Sequence, residues 1–295
     1  MSLPAPAFDT TVLVTGASSG IGAELARQLA ALGHDLVLVA RREERLEALA
    51  DEVRRQHGVA ALVTPTDLGK AAPRKRLMEA VRASGKTVVG LCNDAGFGTY
   101  GRLHELDPRR EGEMLAVNAV AVHELTLAFV PAMIERGAGA ILNVAAIAAF
   151  QPLPNMATYA ATKAFVQTFS EALHGELAGT GVSCTTLAPG RSQTEFAVVA
   201  GTDGSESVLP GRVTLPPEEI AAAGVRGMLR GRRSVIPGAA SKALAAGGRF
   251  APRGMLLPAA LKAVDGRDAE GAKRPPPVRP LRGLSRRRPR PATGG

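Results

Sequence analysis

Apolar residues in this chain gather into short continuous runs that alternate with amphipathic stretches. The runs are Thr11–Val14, Leu36–Ala40, Val59–Val63, Thr87–Cys92, Ala140–Ala145 and Val182–Ala188, with a short last one at Ser234–Ile236. Near-continuous apolar runs of this length read as strands buried on both faces. Between them the apolar positions recur at helical spacing. Ile21–Leu32 is a helix stopped by Gly33, and Glu43–Gln56 carries its acids in the first turn, where the helix dipole favours them. Lys70–Ala83, Arg109–Glu135 (interrupted or bent near Pro131), Thr158–Ala178 and Glu218–Leu229 follow. Strands alternating with helices predict an α/β fold: a doubly wound, Rossmann-type parallel sheet of six to seven strands with helices on both faces.

Such sheets bind ligands at the carboxyl ends of their strands. Four segments fall at those ends: the glycine-rich turn Thr15-Gly16-Ala17-Ser18-Ser19-Gly20-Ile21-Gly22, Asn93-Asp94-Ala95-Gly96, Ala145-Ala146, and Pro189-Gly190. One crevice is expected to collect them. Within it, Tyr159 and Lys163 sit four residues apart on a predicted helix, so phenol and ammonium share a face. A neighbouring cation favours phenolate and is expected to lower the tyrosine pKa, which suits proton exchange with a carbonyl or alcohol oxygen. The glycine turn is a place to hold a dinucleotide, its backbone N–H groups facing the pyrophosphate.

Composition narrows the picture. Hydrophobic residues make up 45% of the 295-residue chain, enough for a full core. Aromatics are only 3%, without tryptophan, so a stacking surface for single-stranded nucleic acid is hard to build. Cys92 and Cys184 lie inside apolar runs and read as buried, reduced thiols, and no metal-ligand spacing is present. The start of the chain lacks the pattern of a signal peptide, and no run has the roughly 18 consecutive apolar residues of a spanning helix. A cytoplasmic protein without a membrane span is expected. The formal charge of +9 is concentrated: residues 266–295 hold nine of the 36 Lys/Arg and two of the 27 acids. That proline-rich segment reads as a disordered basic tail, with charge-driven attraction to RNA or anionic lipid as its sharper reading and no specific nucleic-acid recognition. The domain reading is 1–238 for the dinucleotide-binding body, 239–265 for a weakly helical extension, and 266–295 for the tail.

The ordered set of the glycine turn, Asp67-Leu68, Asn93-Asp94-Ala95-Gly96, Asn118, Tyr159-x3-Lys163 and Pro189-Gly190 with Thr194 resembles the short-chain dehydrogenase/reductase family, over roughly positions 9–238. Within that family it is most similar to bacterial NADP-dependent oxidoreductases. The resemblance implies interconversion of a carbonyl and a secondary alcohol. Tyr159 would be general acid/base, Lys163 its partner, and Asn118 part of a proton relay to the lysine. It further implies coenzyme contacts from Gly16, Ser18, Ser19, Gly20, Ile21 and Gly22. Asp67, Leu68, Asn93, Ala95 and Gly96 would lie along the adenosine half, and Pro189, Gly190 and Thr194 along the nicotinamide half. At the end of strand two, Ala40-Arg41-Arg42 offers no carboxylate for an adenosine ribose but two guanidinium groups for a 2′-phosphate, so NADP(H) is favoured over NAD(H).

One position departs from the pattern. The family's third catalytic group is a serine thirteen residues before the tyrosine, and here that place is Ala146. Loss of an oxyanion-type donor costs on the order of a hundred- to a thousandfold in turnover. A slow NADP(H)-dependent reductase is therefore expected, acting on a small-molecule carbonyl or alcohol and assembled as a homodimer or homotetramer through its two long helices. The alternatives are a catalytically impaired coenzyme-binding protein serving as sensor, scaffold or partner subunit, and a body that merely carries the basic tail. Asp94, where the family commonly has asparagine, is a second departure.

Overall fold

A computed structural model describes residues 3–201 and 214–268; the basic-tail reading from 269 onward lies outside the described residues. Seven strands form one parallel sheet: β1 (Thr10–Thr15), β2 (Leu36–Ala40), β3 (Ala61–Pro65), β4 (Thr87–Asn93), β5 (Gly139–Val144), β6 (Val182–Leu187) and β9 (Ser234–Val235). Their order across the sheet is β3-β2-β1-β4-β5-β6-β9. The direction of build-up reverses beside β1, so the ends of β1 and β4 open a crevice there.

Alternate residues of each strand serve opposite layers. Val12 and Val14 face the layer of α1 (Gly20–Ala31), α2 (Glu43–His57) and α8 (Pro217–Leu229), packing with Leu25, Leu29, Leu46, Val53 and Met228. Leu13 and Leu91 face α3 (Ala71–Ala83) and α5 (Ala121–Arg136), packing with Leu77, Val81, Leu125, Phe129 and Met133. Both cysteines are free thiols buried in these layers. Among the described residues no acid, His or Cys cluster could hold a metal ion.

The long helix expected over 109–135 is not interrupted at Pro131, which sits inside α5. Its irregularity comes earlier. Helix α4 (Pro108–Leu115), capped by the Asp107 carboxylate on the Arg109 N–H, runs into a π turn at Ala116–Val120 before α5 begins. By length and composition the stretch Pro108–Arg136 would suffice to cross a bilayer. Its inner face is buried against β4 and β5, as a core helix requires.

From 239 to 268 the chain forms two helices, α9 (Ala239–Phe250) and α10 (Arg253–Asp268). Helix α9 is built into the body rather than extending from it. Ala245 packs in a third apolar cluster with Phe150, Val122 and Val166, and Ser241 is buried. Three short elements had no counterpart in the hydrophobic pattern: the parallel pair β7 (Arg191–Ser192) and β8 (Thr214–Leu215), and α7 (Phe196–Val199) between them in sequence.

Candidate active site

A cavity of about 530 Å³ lies at the carboxyl ends of β1, β2, β4, β5 and β6. The glycine turn forms one wall. Gly16 has φ +73°, a conformation that favours glycine, and a side chain there would meet Asp94 Oδ2 at 2.9 Å and the Ala95 nitrogen at 3.0 Å. A β-carbon on Gly22 would overlap the Gly16 carbonyl. The Ser19 side chain does not cap the start of α1, and of its first-turn N–H groups the Gly22 one is held by the Asp94 carboxylate. The donor set and its cradle fit a dinucleotide pyrophosphate.

Thr15 locks β4 to this wall. Its hydroxyl accepts from the N–H groups of Asp94 (3.0 Å) and Ala95 (3.1 Å) and donates to the Cys92 carbonyl (3.3 Å). At the end of β2, Arg41 and Arg42 line the cavity. The Arg42 guanidinium donates to Ser18 Oγ (3.1 and 3.2 Å), to Ser19 Oγ (2.8 Å) and to Glu195 Oε2 (2.7 Å). Asp67 and Leu68 line the next stretch, held by Arg74. That arginine is buried, donates to the Leu68 carbonyl at 2.9 Å, and forms a bidentate pair with Glu124 of α5 at 2.7 and 2.9 Å.

The catalytic end is carried by α6 (Ala157–Glu176). Tyr159 and Lys163 both line the cavity, with Lys163 buried and its Nζ donating to the Val144 carbonyl at 2.7 Å. Ala146 lies beside them in extended backbone after β5 and presents a methyl group. Ala95, Gly96, Pro189, Gly190 and Thr194 complete the wall together with Ser18, Ser19, Gly20 and Ile21.

Three expected site residues lie off the cavity surface. Gly22 acts from behind the turn. Asn93 is buried and donates to Asn143 Oδ1 at 2.9 Å, across the β4–β5 register that pairs these two residues; Asn143 in turn donates to Ser170 Oγ at 2.8 Å. Asn93 therefore does not line the cavity. As the last residue of β4 it points into the helix layer, whereas Asp94 and Ala95 turn toward the cavity. Asn118 sits in the π turn with its amide committed elsewhere. Its Oδ1 accepts from the Phe97 N–H (3.1 Å), and its Nδ2 donates to the Phe97 carbonyl (2.9 Å) and Thr162 Oγ1 (3.1 Å). Any relay to Lys163 would have to use its backbone, where the π turn shifts the ladder so that the Ala121 N–H reaches Ala116.

Electrostatics departs from expectation at the phenol. Burial, followed by the charge of Asp94, pushes the Tyr159 pKa up rather than down. Lys163 is itself pushed down to about 8 by burial, against the opposing pull of Asp94, and its ammonium is directed at Val144. Asp94 is pushed up to about 7 by burial, opposed by Lys163 and the Gly22 N–H. Burial disfavours the charge on both groups, and each favours the charged form of the other.

Sequence reasoning overlooked the roles of Thr15, Arg74, Arg45 and Glu195. Glu195 Oε1 accepts from Arg45 Nη1 at 2.9 Å, and the Phe196 ring lies 5.2 Å from that of Tyr159 at 55°. Arg45 and Glu195 are 150 residues apart, so no local spacing could have signalled them.

A family model described as short chain dehydrogenase matches residues 10–203. The sulfoacetaldehyde reductase of Chromohalobacter salexigens is 38% identical over 218 residues, spanning 71% of this chain and 84% of that protein. The NADP-dependent 3-hydroxy acid dehydrogenase of Salmonella typhi is 35% identical over 190 residues, 64% of this chain and 75% of that one. Among solved structures, a short-chain dehydrogenase from Sphingobium yanoikuyae in complex with NADPH superposes with a TM-score of 0.72 at 32% identity, covering 88% of this chain and 94% of that one. The matched region holds the glycine turn, the arginine pair at the end of β2 and the Tyr159–Lys163 helix, and the chain belongs to the short-chain dehydrogenase family.

Proposed function

We propose that this protein is an NADP(H)-dependent oxidoreductase that interconverts a carbonyl and a secondary alcohol, slowed by the absence of a hydroxyl at Ala146. The observation that carries this reading is the single cavity shared by Tyr159, Lys163, the glycine turn and Arg42. The start of α1 would hold the pyrophosphate, Asp67 and Leu68 the adenine side, and Pro189, Gly190 and Thr194 the nicotinamide side. Preference for NADP(H) rests on Arg41 and Arg42 standing where a ribose-binding carboxylate would otherwise be. When bound, the nicotinamide would supply or accept the hydride.

The chain's own residues would do the rest. Tyr159 Oη gives a proton to the substrate oxygen during reduction and takes it back during oxidation. Burial keeps the phenol in its protonated form, from which a proton can be given, while making it a weaker acid. Lys163 supplies positive charge beneath it and keeps its orientation through Val144. No side chain at position 146 donates to the developing oxyanion, which lowers turnover without preventing proton transfer. Phe97, Leu153, Met156 and Phe196 line the substrate side and favour an apolar ketone or alcohol.

A homodimer or homotetramer is part of the same proposal. The outer faces of α5 and α6 expose Leu127, Ile134 and Phe165, with Phe165 stacked on Phe169 at 5.6 Å.

Single-turnover reduction of a ketone panel at saturating NADPH tests the reading. Slow reduction is expected, raised by Ala146→Ser and abolished by Tyr159→Phe. NADPH binding with no reduction by either the native chain or Ala146→Ser would leave the coenzyme-binding sensor or scaffold as the function.

A further inference from the structure

Three consecutive residues after β6 touch three different parts of the site. The Thr194 methyl lies against Gly20, 2.8 Å from where a β-carbon would stand. The Glu195 carboxylate bridges two guanidinium groups, Oε2 accepting from Arg42 Nη1 at 2.7 Å and Oε1 from Arg45 Nη1 at 2.9 Å. Phe196 lies over Tyr159, and its Cζ comes within 2.8 Å of a β-carbon position on Gly98, with Met156 Cε at 3.2 Å. The arginine pair and the phenol are thereby joined by a single peptide unit.

The bridge is strong in pattern and weak in setting. Two guanidinium groups hold the Glu195 carboxyl down to about 2. Yet Glu195, Arg42 and Arg45 have side chains 45%, 43% and 50% exposed, and ion pairs in that setting are easily displaced. A phosphate brings more charge and more acceptor oxygens to the same fork than a carboxylate does.

We infer that Glu195 is a specificity-determining residue. Its carboxylate occupies the guanidinium pair that would receive a 2′-phosphate, and a 2′-phosphorylated nucleotide displaces it and so releases Phe196 from Tyr159. The inference rests on the NADP(H) reading and deepens it in two ways. Arg45 joins Arg42 as a phosphate reader, and occupancy at the adenosine end controls access to the phenol. A nucleotide without the 2′-phosphate has nothing to offer the pair and leaves Phe196 in place. The internal competitor also lowers the apparent affinity for the correct coenzyme by the fraction of molecules in which the bridge is closed.

Adenosine 2′,5′-bisphosphate and AMP separate these effects from hydride chemistry. Calorimetric titration of the full chain should show tighter binding of the bisphosphate than of AMP. Glu195→Gln should tighten the bisphosphate about 3–10-fold with AMP unchanged, as removal of a competing state predicts. Glu195→Ala should act in the same direction, and Arg45→Ala should weaken the bisphosphate alone. The chain has no tryptophan, so Phe196→Trp is a single reporter of the segment. Its emission should move to the red with saturating bisphosphate and stay put with saturating AMP. Preferential bisphosphate binding that neither Glu195 variant tightens, or that leaves the tryptophan emission unmoved, overturns the inference and spares the NADP(H) reading. Equal binding of bisphosphate and AMP to the native chain overturns both.

Discussion

Replacing Asn118 with alanine tests how the π turn supports the site. The Asn118 side chain pairs both backbone groups of Phe97, at 3.1 Å to the N–H and 2.9 Å to the carbonyl, and both residues are buried. Truncation leaves those two groups without partners, each costing about 1–3 kcal/mol. Thr162 Oγ1 keeps its bond to the Tyr159 carbonyl at 2.7 Å, so its loss adds little. A total of about 2–6 kcal/mol, at about 2–4 °C per kcal/mol for a chain of this size, lowers the Tm by about 4–24 °C. Phe97 adjoins Ala95 and Gly96 in the cavity wall, so NADPH affinity should fall alongside. Differential scanning calorimetry with and without NADPH measures both effects. A variant melting within about 2 °C of the native protein would show that Phe97 finds other partners and that the clamp argument is mistaken.

Further expectations concern the rest of the site. Ala146→Ser should raise single-turnover reduction by up to about a hundredfold, and no gain would mean that the missing hydroxyl is not what limits the reaction. Gly22→Ala should weaken NADPH binding at least tenfold in a fluorescence titration, because its methyl overlaps the Gly16 carbonyl; unchanged affinity would refute the close-approach argument. The Asp94 carboxyl, raised from 3.8 to about 7, keeps a proton in the folded chain that the unfolded chain gives up. Its stabilising contribution is therefore full below pH 4 and lost as the pH rises through 7. Lys163, lowered to about 8, adds stability in the opposite sense only above that pH. Asp94→Asn should accordingly gain in Tm over the native chain between pH 5 and pH 8, and a constant difference across that range would remove Asp94 from the account.

The sheet was legible because parallel strands covered on both faces leave unbroken apolar runs. Leu36–Ala40 was read to the residue, and the others to within one or two. The cavity was legible for a related reason: strand ends in a doubly wound sheet must converge. What escaped were features without a local signature. Ala116–Val120 has the same small and branched residues as the helix around it, so nothing in that run announces a π turn. Asn93 and Asp94 are adjacent and polar, but strand pleating sends one into the helix layer and the other to the cavity. The tyrosine pKa was read from spacing alone, whereas burial and the Asp94 charge decide its direction. Glu195 meets Arg42 and Arg45 only through the fold.

Helix α9 approaches the segment after Ala146 closely enough that a β-carbon on Gly248 would stand 3.0 Å from the Phe150 carbonyl. The short helical turn Ile147–Phe150 is thus buttressed by residues nearly a hundred positions further along. Cutting the chain before α9 should disturb chemistry at the opposite end of that turn, so shortened versions made for crystallisation or tagging need to keep it. On the proposed reading, the scaffold for a third catalytic group is intact, and what separates this pocket from a complete one is a single oxygen atom.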